Sequence, residues 1–223
     1  MSCDYCDERR GVETVYNKIY GSRNRMVYET NSFVVFPCMG QLREGHLLIA
    51  SKAHRNSIGM LDADIIRELE SLVSDTAAFF WETYQRDMLC FEHGVLDDDG
   101  ANGGCGIYHM HLHVLPADQE EFSAVLQLVR KEETNFVSQA AGLLDTRHCI
   151  ANQKTYIFLS LFSQMKKQDH FIITNRNNYF ESQYMRKMIC KVFGKPDWDW
   201  RRIERPEFEL ISTLEKSYAF FNK

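Results

Sequence analysis

Five consecutive residues, His109-Met110-His111-Leu112-His113, gather three of the chain's eight histidines at a spacing of two. On a β-strand that spacing puts the three imidazoles on one face. Met110, Leu112 and Val114 then form the opposite face, which can pack into a core. Imidazole titrates near neutral pH, so such a face can supply a nucleophile, a proton donor or a metal ligand. Two chemistries compete. In one, the strand itself holds a reactive metal, with Asp97, Asp98 and Asp99 as the carboxylates within reach. In the other, a histidine attacks phosphorus. The approach Gly100-Ala101-Asn102-Gly103-Gly104-Cys105-Gly106 favours the second. Glycines let the backbone come close to a ligand, and successive N–H groups make an anion-binding nest.

A second cluster of reactive side chains opens the chain. Cys3-Asp4-Tyr5-Cys6 has the spacing of a zinc knuckle and needs two further ligands. A redox pair of the thioredoxin kind is expected after a strand and at a helix start, whereas this pair precedes any expected strand. The other five of the seven cysteines are scattered. An odd, scattered set reads as free thiols rather than a disulfide scaffold.

These residues need elements to hold them. Residues 13–36 alternate polar and apolar groups, with breaks at Gly21-Ser22 and Thr30-Asn31-Ser32, and predict short antiparallel strands. Gly45 to Lys52 reads as a central strand. Leu61 to Tyr84 reads as a long helix with Asp62 at its N-cap. Met88 to Phe91 and Tyr108 to Leu115 read as strands, the second ended by Pro116, with a Gly- and Asp-rich loop at 97–106 between them. Beyond residue 117 the content shifts. Glu120 to Lys131, Asn135 to Leu144, Gln183 to Phe193 and Glu207 to Phe221 read as helices, and Tyr156 to Phe162 and Phe171 to Thr174 as strands. Gly194 and Pro196 stop the third of these helices. The expected class is α+β: an antiparallel sheet with a long helix over residues 1–117, then a mixed α/β extension over 118–223 packed on the first.

Composition narrows the function. The chain of 223 residues carries a net charge of −5, so it is not built to coat a polyanion and bulk nucleic-acid binding is not expected. Met1 to Arg10 contain no apolar stretch that could direct secretion, and no run is long and apolar enough to span a bilayer. A cytoplasmic protein that does not engage membranes is the expectation.

The stretch Gly104-Cys105-Gly106-Ile107-Tyr108-His109-Met110-His111-Leu112-His113-Val114-Leu115-Pro116 resembles the motif of the histidine-triad (HIT) family. Gly45-His46-Leu47-Leu48-Ile49-Ala50-Ser51-Lys52-Ala53-His54 resembles that family's central strand and following Lys-x-His. Phe91-Glu92-His93-Gly94 is similar to one of its branches. The likeness runs over residues 3–116. It implies a hydrolase or nucleotidyltransferase acting on a nucleotide or dinucleoside polyphosphate, with a homodimer among the assemblies it allows. His111 would be the nucleophile that forms a covalent nucleotidyl-imidazole. His113 would hydrogen-bond the phosphate, with the Cys105-Gly106 nest near the same oxygens. Zinc-bearing branches take ligands that map to Cys3, Cys6, His54 and His109, a closed structural Cys2His2 set, with His93 as the alternative fourth ligand. Many members hold a ribose with an acidic residue after the second strand. The matching residue here is Cys38, so a nucleoside would be held differently.

The extension carries Phe180-Glu181-Ser182-Gln183-Tyr184-Met185-Arg186 and Trp198-Asp199-Trp200-Arg201, which resemble a region of some longer members. Ser182 reads as a helix N-cap exposing N–H groups to an anion. Ser182 and Gln183 are therefore expected to contact substrate, and Arg186 either reaches a phosphate or is solvated. Two rival readings of the whole stand beside the enzymatic one: a non-catalytic nucleotide-binding or scaffold protein, and an enzyme whose metal is held by the triad.

Overall fold

The alternation at residues 110–114 belongs to the middle of an antiparallel sheet. The computed structural model describes residues 3–96, 107–132, 136–140, 142–150, 154–163, 169–175, 177 and 179–223. Among these, eight strands form one sheet: β1 (Tyr28–Glu29), β2 (Phe33–Pro37), β3 (Leu47–Ser51), β4 (Asp87–Val95), β5 (His111–Ala117), β6 (Phe136–Ala140), β7 (Thr155–Phe162) and β8 (Asp169–Thr174). Their order is β1-β2-β3-β5-β4-β7-β8-β6, and every pairing is antiparallel.

Helices cover both faces. The long helix α3 (Ala63–Tyr84) turns Ile66, Leu69, Leu72, Val73, Phe79 and Phe80 onto one face, where they meet Met110 just before β5, Leu112 and Val114 of β5, and Leu47 and Ile49 of β3. Burying each such side chain contributes about 1.5–3 kcal/mol, which is why the apolar half of the triad strand fixes its position. Asp62 occupies the N-cap position of α3, as its sequence predicts. On the other face α4 (Gln119–Glu132) and α6 (Tyr184–Phe193) pack Phe122, Val125, Tyr184 and Met188 against Phe91, Leu115 and Leu159. His111 and His113 point to this second face. The helices α1 (Asp4–Arg9) and α2 (Val15–Tyr20) precede the sheet, and α5 (143–149) and α7 (Phe208–Phe221) lie with α3. No helix among the described residues is long and apolar enough to cross a membrane.

Three sequence expectations change. Residues 13–36 do not open with a strand: the Asn17 side chain accepts from the Thr14 N–H at 3.0 Å, and this cap starts α2 instead. Residues 136–140, expected to be helical, form β6, because β8 offers an edge on which Phe136 pairs with Thr174 and Ala140 with His170. Pro116 does not end its strand. The pairing of β3 with β5 stops at Val114, so the proline's missing N–H costs no ladder bond on that side, and β5 continues to Ala117 alongside β4. The sheet runs on past residue 117: β7 pairs with β4 from Met88–Phe162 to Val95–Thr155.

Candidate active site and metal centre

A backbone acceptor sets the tautomer of His111 and a side-chain donor sets that of His113, and the two tautomers differ. His111 Nδ1 donates to the carbonyl of His109 at 2.5 Å. The neutral ring then has no proton on Nε2, the nitrogen left for chemistry. His113 is set by a chain that begins in the backbone. The Leu42 N–H donates to His46 Nδ1 at 3.3 Å, so the proton of His46 sits on Nε2. That nitrogen donates to His113 Nδ1 at 2.9 Å, which leaves the proton of His113 on Nε2. Phe91 stacks on the His113 ring, with centroids 4.3 Å apart and planes within 5°. Burial holds His46 and His113 well below the ordinary imidazole value and lowers His111 as well, with the Arg186 charge adding to the effect at all three. The site thus places a bare imidazole nitrogen beside an imidazole N–H, with ring centroids 5.0 Å apart.

A cleft opens in front of these two rings, enclosing about 730 Å³ with its mouth included. Tyr5 of α1 stands edge-on to His111 at 5.4 Å and to His109 at 5.7 Å. Two buried guanidiniums line the walls. Arg25 is paired to both carboxylate oxygens of Glu8, at 2.8 and 2.6 Å, and lies over the rings of Tyr16 and Phe36. Arg186, brought in by α6, donates to the Gly40 carbonyl at 2.5 Å, to the Trp198 carbonyl at 2.9 Å and to Cys38 Sγ at 3.5 Å.

The first triad histidine serves a different centre. Ligand atoms of Cys3, Cys6, His54 and His109 all lie within 4.8 Å of one another. Cys3 Sγ and Cys6 Sγ are 3.3 and 3.5 Å from His109 Nδ1, and Cys6 Sγ is 3.5 Å from His54 Nδ1. Sulfur and nitrogen ligands on one tetrahedral zinc would be separated by roughly 3.5 Å, from bond lengths near 2.3 and 2.0 Å. His109 Nε2 donates to the Ser51 carbonyl at 2.6 Å, which holds Nδ1 deprotonated and aimed at the sulfurs. The four residues therefore fit a metal ion.

Other sequence expectations fare as follows. His54, not His93, joins the cysteine pair. His93 lies on β4, lining the cleft, with Nε2 3.2 Å from Thr155 Oγ1. The triad does not converge on one metal: each of the two Cys/His groups found among the described residues contains a single triad histidine. Cys105, Gly106 and the rest of the glycine-rich approach, like Asp97, Asp98 and Asp99, lie outside the described residues. Ser182 is not the cap of α6. The N-cap is Gln183, in the left-handed region at φ 61°, and the Ser182 hydroxyl instead accepts from Arg201 at 3.3 Å. Gln183 does line the cleft, but its amide donates to Asp199 Oδ1 at 2.7 Å and accepts from the Trp200 N–H at 3.4 Å. Arg186 is not solvated; it is only 3% exposed. Trp198 packs at the edge of the second core, and Trp200 lines the cleft. Sequence reading missed Tyr5, Arg25 and the role of His46. The last lay within the quoted Gly45-His46 stretch, while nothing in the spacing of Glu8 and Arg25 announces their pairing.

The HIT domain profile matches residues 21–120 of the chain. No curated protein matches it significantly. Among solved structures, a hypothetical histidine triad nucleotide-binding protein from Sulfolobus tokodaii is 21% identical, with 52% of this chain and 70% of that one covered and a TM-score of 0.39. A HIT family protein from Bacillus anthracis is 21% identical over 53% of this chain and 75% of its own, with a TM-score of 0.40. A zinc-bound histidine triad family protein from Mycobacterium smegmatis is 19% identical over 53% and 77%, with a TM-score of 0.38.

Proposed function

We propose that this chain, which carries a HIT domain over residues 21–120, cleaves phosphate esters or anhydrides of nucleotides through a covalent nucleotidyl group on His111. The observation that carries this reading is the pair of opposite tautomers. With Nδ1 tied to the His109 carbonyl, the lone pair of His111 Nε2 attacks the α-phosphorus, and the leaving group departs with the electrons of the broken P–O or P–N bond. His113, whose Nδ1 is taken by His46, offers its Nε2–H to a phosphoryl oxygen as charge develops there. Water then attacks the phosphorus on the far side of the P–N bond, releases the nucleotide and restores His111. An acceptor other than water in the same position makes the reaction a nucleotidyl transfer.

Zinc suits the group Cys3, Cys6, His54 and His109, because two thiols and two imidazoles make a closed tetrahedral set with no open position. Such an ion would supply no chemistry to the reaction. It would fasten α1 to the triad strand and so hold Tyr5 against His111. From the extension, Gln183, Tyr184, Met185, Arg186 and Trp200 serve as the second wall of the active site.

The test is intact-protein mass spectrometry after mixing with dinucleoside polyphosphates and nucleoside phosphoramidates. One added nucleotidyl group, absent in His111→Asn, is the expected result. Turnover without any adduct in rapidly quenched samples overturns the covalent route, and no turnover on either substrate class overturns the reading as a whole.

A further inference from the structure

Resting on the reading of His111 as the attacking residue, we propose that Arg186 of the extension holds a phosphate oxygen of the substrate and is a main source of the site's preference for charged ligands. Burying a guanidinium is costly unless an anion accompanies it. The two arginines of the cleft differ in this respect. Arg25 and Glu8 are both buried and neutralise each other through two hydrogen bonds. Arg186 is buried to the same degree, yet its contacts are two carbonyl oxygens and a thiol, all neutral. Burial keeps that thiol, Cys38, above its ordinary pKa, so it supplies no negative charge. Among the described residues Arg186 forms no ion pair, and the other charged groups lining the cleft are Asp4 and the Arg25–Glu8 pair.

Its place is suited to a phosphate. Arg186 touches Cys38, and Cys38 Sγ lies within 4.8 Å of ring nitrogens of both His46 and His113. The guanidinium therefore stands at the His113 end of the site, where the reading above puts the phosphoryl oxygens. Its charge acts on His46, His111 and His113 alike. Gln183, Tyr184 and Met185 line the cleft with it, so the first turn of α6 faces the same space and its N-terminal dipole adds positive potential. The two carbonyl contacts hold the planar fork in place before substrate arrives, the pre-organisation that a phosphate clamp requires.

The experiment is calorimetric titration of the full chain in a His111→Asn background, which keeps ligands intact. The probes are the four ribonucleoside 5′-monophosphates and their parent nucleosides. Arg186→Gln is expected to weaken the best-bound monophosphate by about 10- to 100-fold, the range for a hydrogen bond to a charged group. It should leave the parent nucleoside unchanged, and Arg186→Lys should recover part of the loss. Equal weakening of nucleoside and monophosphate would mean that Arg186 only clasps Gly40 and Trp198, and overturns the proposal. So does unchanged monophosphate binding in Arg186→Gln, or monophosphate binding no tighter than nucleoside binding in the parent protein. Adduct formation on His111 is scored separately in the wild-type chain. Its presence with binding indifferent to Arg186 defeats this inference alone, and its absence defeats the reading beneath it.

Discussion

His46 Nε2 and His113 Nδ1 lie 2.9 Å apart, and the Leu42 N–H on the far side of His46 decides which of the two carries the shared proton. His46, which does not line the cleft, thereby decides whether the other nitrogen of His113, Nε2, carries a proton. His113→Ala removes the donor outright and is expected to lower kcat by about 10²–10³-fold, as for loss of one oxyanion donor. His46→Leu leaves the donor present but free to adopt the other tautomer, so its loss in kcat should be smaller, with KM little changed. Steady-state kinetics separate the two. Full turnover in His46→Leu rejects the relay.

His111→Ala and His111→Asn are expected to abolish turnover without unfolding the chain. The strand is held by Met110, Leu112 and Val114 on the α3 face, and none of them is touched. Circular dichroism and a thermal melt alongside the activity assay check both halves of the statement. A variant that keeps near-normal rates removes His111 from the chemistry.

One zinc ion per chain is expected in protein purified without added metal. Chelation, or Cys3→Ser with Cys6→Ser, should lower the melting temperature more than it lowers the chemical step in protein that remains folded, because four ligands close the site. Metal analysis by mass spectrometry decides the first point. A chain with no stoichiometric metal would remove His54 and His109 from their assigned roles as ligands.

Glu92 should make stability depend on pH. Its carboxylate accepts from the Ile58 N–H at 2.8 Å and the Tyr156 hydroxyl at 2.5 Å, and burial pushes its pKa up to about 8 from an ordinary 4.5. Between those values the folded chain holds the proton more tightly than the unfolded chain. The stabilising contribution is therefore complete below pH 4.5 and is lost as pH rises through 8. Glu92→Gln should flatten this dependence and gain stability relative to the parent at pH 8.5. Denaturant titrations at pH 5.5, 7 and 8.5 measure it, and an unchanged slope between the two proteins would show that another group is responsible.

Much of the site was legible because periodicity and chemistry coincided on one strand. Histidines at every second position specify a face, and the residues between them specify what that face packs away from. The Cys3–Cys6 pair was legible for a similar reason, since its spacing is that of two ligands on one metal. Ser182 was misread because a serine before a helical run is a common cap, and the pattern cannot show that Gln183 takes the left-handed turn and starts the helix instead. The β6 strand was misread because its conformation is imposed by an edge of β8, with partners running from Ala140–His170 to Phe136–Thr174, far outside any local window. Arg25, held by a carboxylate, and Arg186, held by two carbonyls and a thiol, are alike in sequence, and only their tertiary neighbours distinguish them.

The pairing of β7 with β4 bears on how the chain is made. Residues 1–117 contain the triad, the four candidate metal ligands and α3, yet they leave one whole edge of β4 open, with Met88, Cys90 and Glu92 along it. That edge is satisfied only when residues 155–162 have been synthesised, on the order of a few seconds later at ordinary elongation rates. Until then the nascent first half presents a long apolar strand that a neighbouring nascent chain can add to. A chain cut after Ala117 would carry that exposure permanently and should recover poorly in soluble form. In the chain of 223 residues the same edge is filled from within, so self-association through this edge of β4 is closed off.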